Sequence, residues 1–135
     1  MEMTIEKLES YKGLTAEIKG LREQIDSLYD TYRSPQLKSD GGSHSMSVGG
    51  SPVETAVEKI LNLKKIYSKK YEEALDLLAE VESWLSTVDD VEIRSICRHH
   101  YILNKSWSQT SAIVYGFPSY YNSRKRVMRY FGREK

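Results

Sequence analysis

Apolar residues recur at Tyr11, Leu14, Ile18, Leu21, Ile25, Leu28 and Tyr32, with spacings that alternate between three and four. A helix gathers such positions into one seam, the a/d stripe of a coiled coil. Gly13 and Gly20 stand a heptad apart and share a face away from that seam. They either permit a close approach or are simply tolerated, at roughly 1 kcal/mol each against Ala. The stripe ends at Arg33-Ser34-Pro35 and gives way to SPQLKSDGGSHSMSVGG. So much Gly and Ser cannot bury enough surface to offset the entropy of ordering, so a flexible loop is expected over 33–52. His44 has no ligand-forming neighbours there and reads as a solvated loop histidine.

The second pattern opens on a start signal. Ser51 can cap, Pro52 takes the first helical position, and Glu54 stands three residues after Ser51 to complete a capping box. Val53, Val57, Ile60, Lys64, Tyr67, Tyr71, Ala74, Leu78, Val81, Leu85 and Val88 then keep the same alternation, with Lys64 its one polar member. Leu61, Leu75, Leu77 and Trp84 widen the stripe. A wide stripe needs more than one neighbour, so the two long helices are expected to form a hairpin packed further against another subunit or against the tail.

The tail changes rhythm. Asp89 or Asp90 can cap a third helix, with Glu92 completing a box from Asp89, and Ile93, Ile96, Cys97, His100 and Tyr101 form its apolar face. That helix is expected to end near Asn104-Lys105. Ser106 or Ser108 can start a short helix holding Trp107, Ala112, Ile113 and Val114, closed by the turn Tyr115-Gly116-Phe117. Pro118 or Ser119 opens the last helix, SYYNSRKRVMRYF. A short helix, a Gly turn and a basic helix follow the plan of a helix-turn-helix. The expected fold is all-α: a long antiparallel coiled-coil-like helical hairpin over 1–88, then a C-terminal helix-turn-helix over 89–135.

Charge sharpens this division. Residues 96–135 hold eight Lys or Arg and one acid, a balance of +7, while the first 95 hold twelve bases and eighteen acids, a balance of −6. The net of +1 conceals an acidic front and a basic tail. A concentrated basic patch attracts polyanions by releasing their counterions. On the last helix Tyr120, Val127 and Phe131 share one face, as do Tyr121 and Met128, and one of these sets is expected to pack on the preceding helices. The other side is expected to present Ser119, Asn122, Ser123 and Arg126 to DNA bases, since Arg can bond guanine and Asn adenine bidentately. Lys125, Arg129 and Arg133 suit phosphate contacts, and Tyr120 completes the expected DNA-binding set.

Other chemistries find little support. There is no Gly-rich phosphate loop, no metal-spaced Cys/His set and no nucleophile beside a base. His99 and His100 are adjacent and diverge by about 100° on a helix, so they do not jointly grip a metal. Lone Cys97 falls in an apolar pattern and reads as a buried small hydrophobe. No apolar run approaches the ~20 residues that cross a bilayer. MEMTIEKLES lacks a secretory pattern, so a cytoplasmic protein without enzymatic activity, cofactor or metal is expected.

The stretch VDDVEIRSICRHHYILNKSWSQTSAIVYGF resembles the region-4-type helix-turn-helix of sigma factors, as found in phage and prophage proteins related to the ArpU/RinA late-transcription regulators. The front half is similar to a group of prophage proteins through Ser34-Pro35, Leu37, the polar loop and ETAVEKI. The chain departs from the family at Gln109-Thr110-Ser111, where Glu-Ile-Ala is frequent, and in a shorter turn after Gly116. The resemblance implies transcription control in phage or prophage biology. Double-stranded DNA is then the expected partner, with a homodimer through the helical hairpin and RNA polymerase as a further partner. Two other functions fit the same architecture: a helical adaptor that binds the transcription machinery, and a small terminase subunit in DNA packaging.

Overall fold

The computed structural model describes residues 2–33 and 52–133, and within them the secondary structure is entirely helical. Five α-helices follow in order: α1 (Ile5–Arg33), α2 (Pro52–Leu85), α3 (Val91–Cys97), α4 (Trp107–Tyr115) and α5 (Tyr120–Tyr130). A π-helical segment, Arg98–Ile102, extends α3. The expected loop between the long helices and its Ser51 cap lie outside the described residues, as do the side chains of Tyr32 and Val53.

The chain forms two compact units, and they do not part at 88/89. The first joins Met1–Thr15 to Ala74–Lys135, and the second is Ala16–Glu73. The reason is a shared core. Met3, Leu8, Val81, Leu85 and Val88 from the long-helix ends bury together with Ile93, Ile96, Cys97, Tyr101 and Val127. Leu8 alone, wholly buried, contributes about 1.5–3 kcal/mol through lost contact with water. The first helix starts at Ile5, ahead of the Tyr11 seam, and the Thr4 hydroxyl oxygen accepts from the Lys7 backbone N–H at 3.2 Å there.

Asp90, not Asp89, caps α3, accepting from the N–H groups of Glu92 and Ile93. Glu92 therefore stands too early in the helix to complete a capping box. The helix then widens, with the Leu103 N–H reaching the Arg98 carbonyl at 2.9 Å and the Lys105 N–H reaching His99 at 3.0 Å. Asn104 ends it in the left-handed region at φ 60°, which Asn tolerates better than most residues. The Asn104 side chain donates to Thr15 Oγ1 at 2.8 Å and accepts from Lys12 Nζ at 3.1 Å. His100 stacks on Trp107, with ring centroids 3.5 Å apart. Its Nδ1 lies 2.8 Å from the Lys105 carbonyl oxygen; a carbonyl only accepts, so Nδ1 carries the proton. Burial first, then the Lys12 charge, lower the His100 pKa to about 4, against that hydrogen bond.

Ser106 starts α4 with a full capping box to Gln109, and Gly116 ends it at φ 92°. The buried side of α4 is Thr110 and Ser111, while Ile113 is half exposed. The apolar positions expected to hold this helix are thus not its most buried ones.

In the second unit, Ile25, Ala56 and Ile60 are buried and Ile18, Leu21, Leu28, Leu63 and Tyr67 are half-buried. Lys70 pairs with Glu17 at 3.4 Å, and Lys64 lies 5.1 Å over the Tyr29 ring. Val57, Leu61 and Tyr71 remain largely exposed. A Cβ at Gly13 or Gly20 would meet nothing within 4 Å among the described residues, so neither glycine makes room for a neighbouring helix there.

Candidate nucleic-acid interface

The candidate surface is built on α5. Ser119 opens the helix in extended conformation, its hydroxyl oxygen accepting from the Asn122 N–H at 3.2 Å. Its side chain is engaged in starting the helix. Three residues separate Gly116 from Tyr120, so α5 follows α4 without slack.

One side of α5 is locked to α4. Ser123 is fully buried. Its N–H donates to Ser111 Oγ at 3.1 Å, the Ser111 hydroxyl donates to Ser123 Oγ at 2.8 Å, and the Ser123 hydroxyl donates to the Trp107 carbonyl at 3.0 Å. Val127, one helical turn on, is also fully buried. Ser123 is therefore withdrawn from the side expected to face DNA. Its spacing of four from Val127 places it on the core face.

The other side presents Tyr121, Asn122, Lys125 and Arg129, all exposed. Tyr121 and Met128 are not the packed set: Tyr121 is 66% exposed, and the helix rests on Val127 with Phe131 partly covered. Tyr120 is exposed too, its ring 5.1 Å from Tyr121 in an edge-on arrangement and 6.0 Å from the Arg124 guanidinium. The sequence carries a signal for Tyr121, since it precedes Lys125 and Arg129 at intervals of four and so shares their face.

Arg126 lies between these two sides and is occupied. Its guanidinium is bonded to Asp90 and lies 3.5 Å from Glu92. The Tyr115 hydroxyl donates to Glu92. These four side chains connect the start of α3 to the end of α4 and the middle of α5. The Ile93 N–H first, then Arg126, hold the Asp90 carboxyl below its usual range against desolvation. Burial and the neighbouring Glu92 carboxylate push the Tyr115 hydroxyl above its usual range. Expected as a base reader, Arg126 is instead paired internally. Asp90 and Glu92 come from 36 and 34 positions upstream, so local spacing could not announce them. Arg133 also has a partner, Glu6, at 2.8 Å.

Asn122, Lys125, Arg126, Arg129 and Tyr115 line a shallow cleft of about 250 Å³. Lys125 and Arg129 form no ion pair among the described residues, leaving two cations on its rim. Among the described residues no three His, Cys, Asp or Glu side chains gather where a metal could sit, and no helix is long and apolar enough to cross a membrane. Cys97 is buried, with its thiol pushed up to about 12 by desolvation. No family model matches this chain, and neither curated proteins nor solved structures provide a match.

Proposed function

We propose that this chain is a DNA-binding transcription regulator, with α4 and α5 acting as a helix-turn-helix and α1 and α2 as an antiparallel hairpin that supports a homodimer. The phage or prophage setting rests on the resemblance of residues 88–117. One observation carries the reading. The capped, Gly-turned helix α5 has one face anchored by Ser123 and Val127 and the opposite face left to solvent with Tyr121, Asn122, Lys125 and Arg129. A helix so held can enter a major groove with its polar face forward. Asn122 is the base reader of that face, and Lys125 and Arg129 its phosphate contacts.

The test is duplex binding measured by fluorescence anisotropy across a salt series, after selection of a preferred site from a random pool. Lys125→Ala and Arg129→Ala should weaken all duplexes alike and lower the salt slope by about 0.9 per charge removed. Asn122→Ala should cost about 1–3 kcal/mol of preference for the selected site. A folded protein that ignores duplex DNA at low salt refutes this reading. It would favour the helical adaptor, which the exposed Ile113 and Phe117 beside the α4–α5 turn support.

A further inference from the structure

A second apolar stripe runs along α2, and its large side chains stay largely exposed among the described residues. Val57, Leu61, Tyr71 and Leu75 are 50%, 54%, 47% and 50% exposed. With Lys64 and Ser68 they follow spacings of four and three, about 90° around the helix from the seam of Ala56, Ile60, Leu63 and Tyr67. Single exposed apolar side chains are ordinary, but an aligned series marks a contact surface. Beside the stripe lies a hollow of about 340 Å³ lined by Tyr67, Ser68, Tyr71 and Glu72.

The charges flanking the stripe select its occupant. Lys65 and Lys69 stand on one turn, and Glu72 and Asp76 on the next, all exposed and on the same flank. None of the four forms an ion pair among the described residues. A basic turn followed by an acidic turn is self-complementary when the copy runs in the opposite direction. A two-fold axis midway between Lys69 and Glu72 sets Lys69 beside Glu72 of the second copy and Lys65 beside its Asp76. Symmetry makes each pairing twice. The same axis sets Tyr71 of the second copy level with position 70 and its Leu75 level with position 66, each about 3 Å along the helix from Ser68 and Lys64 of the stripe. A parallel two-fold pair would carry this charged flank to opposite sides of the contact in the two copies, so none of these ion pairs would form.

We propose that this stripe is the homodimer surface, and that a second copy of the chain docks on it antiparallel through α2, with its two-fold axis between Lys69 and Glu72. This deepens the self-association in the function proposed above but does not depend on DNA binding.

The experiment is sedimentation of the full chain without DNA, from sub-micromolar to tens of micromolar. The wild type should sediment as a dimer, and Leu75→Asp as a helical monomer by circular dichroism. Ile66→Asp, on the opposite side of α2 and 45% exposed, should leave the dimer unchanged. Lys69→Glu or Glu72→Lys alone should raise the dissociation constant about tenfold, and the double exchange should restore it. A monomeric wild type overturns the proposal, as do single exchanges without effect or a double exchange that fails to rescue. Anisotropy with duplex DNA on the same samples separates the two claims. A monomer that binds DNA defeats the dimer surface alone, and a dimer that ignores DNA defeats the regulator reading alone.

Discussion

Removing the Ser123 hydroxyl tests the structural basis of the exposed face. Ser111 and Ser123 are both fully buried and joined by reciprocal hydrogen bonds, and Ser123 also donates to the Trp107 carbonyl. Ser123→Ala deletes the donor to Trp107 and the acceptor of the Ser111 hydroxyl. The Ser111 proton is then buried with nothing to receive it. Such a group costs about 1–3 kcal/mol, more than the net worth of a bond whose partners are both removed. Ser111→Ala takes one acceptor from the Ser123 N–H but leaves the Ser123 hydroxyl its Trp107 acceptor, so it should cost about 1 kcal/mol. In Ser111→Ala/Ser123→Ala no hydroxyl remains, so the double variant should be no less stable than Ser123→Ala. The cycle should show a coupling of about 1 kcal/mol.

Both tryptophans, Trp84 and Trp107, belong to the compact unit that contains α5. Urea titrations followed by tryptophan fluorescence therefore read the unit in question, and an unchanged slope of free energy against urea licenses the comparison. Strict additivity would refute the hydrogen-bonded arrangement, as would a Ser123→Ala variant as stable as wild type. A second outcome would refute the orientation of α5. If Ser123→Ala kept its stability but lost preference among DNA sites, Ser123 would be on the reading face and α5 rotated about its axis from the position in which Ser123 meets Ser111.

Two further outcomes follow from buried groups. The Tyr101 hydroxyl is buried without a hydrogen-bond partner among the described residues, so Tyr101→Phe should leave urea stability unchanged or raise it by about 1 kcal/mol; a loss above that would show that the hydroxyl is bonded. His100 has its pKa lowered to about 4 from 6.5, so between these values the unfolded chain binds a proton that the folded chain refuses. Stability should fall as pH drops from about 6.5 to about 4, by up to about 3 kcal/mol, and His100→Gln should remove that part of the pH dependence. Equal slopes in both proteins would contradict the burial of a neutral imidazole.

How much of this was legible in the sequence depends on the range of the cause. The long helices were, because a three-four alternation is a local property that burial reproduces at Tyr11, Ile25, Ile60, Val81 and Leu85. So was the α4–α5 turn, where Ser106, Gly116 and Ser119 act through neighbours within four residues. The division into units was not. Met3 and Leu8 find Ile93 and Ile96 only after about ninety residues of chain, and a boundary drawn at a change of rhythm cannot foresee that.

The candidate surface divides along the same line. Tyr121 could have been assigned correctly, since the helix repeat puts it with Lys125 and Arg129. Arg126 could not, because its availability is decided by Asp90 and Glu92 rather than by its place on the helix. The distinction bears on binding. Counting Lys125, Arg126, Arg129 and Arg133 as four equal attractors overstates the pull on a polyanion. Two of these cations already neutralise carboxylates, and a phosphate would have to displace Asp90, Glu92 or Glu6 before gaining their charge. Counterion release should accordingly report Lys125 and Arg129 first. On the proposed DNA-binding reading, Arg126 would act mainly by holding α5 in place through Asp90 and Glu92 rather than by contacting phosphate.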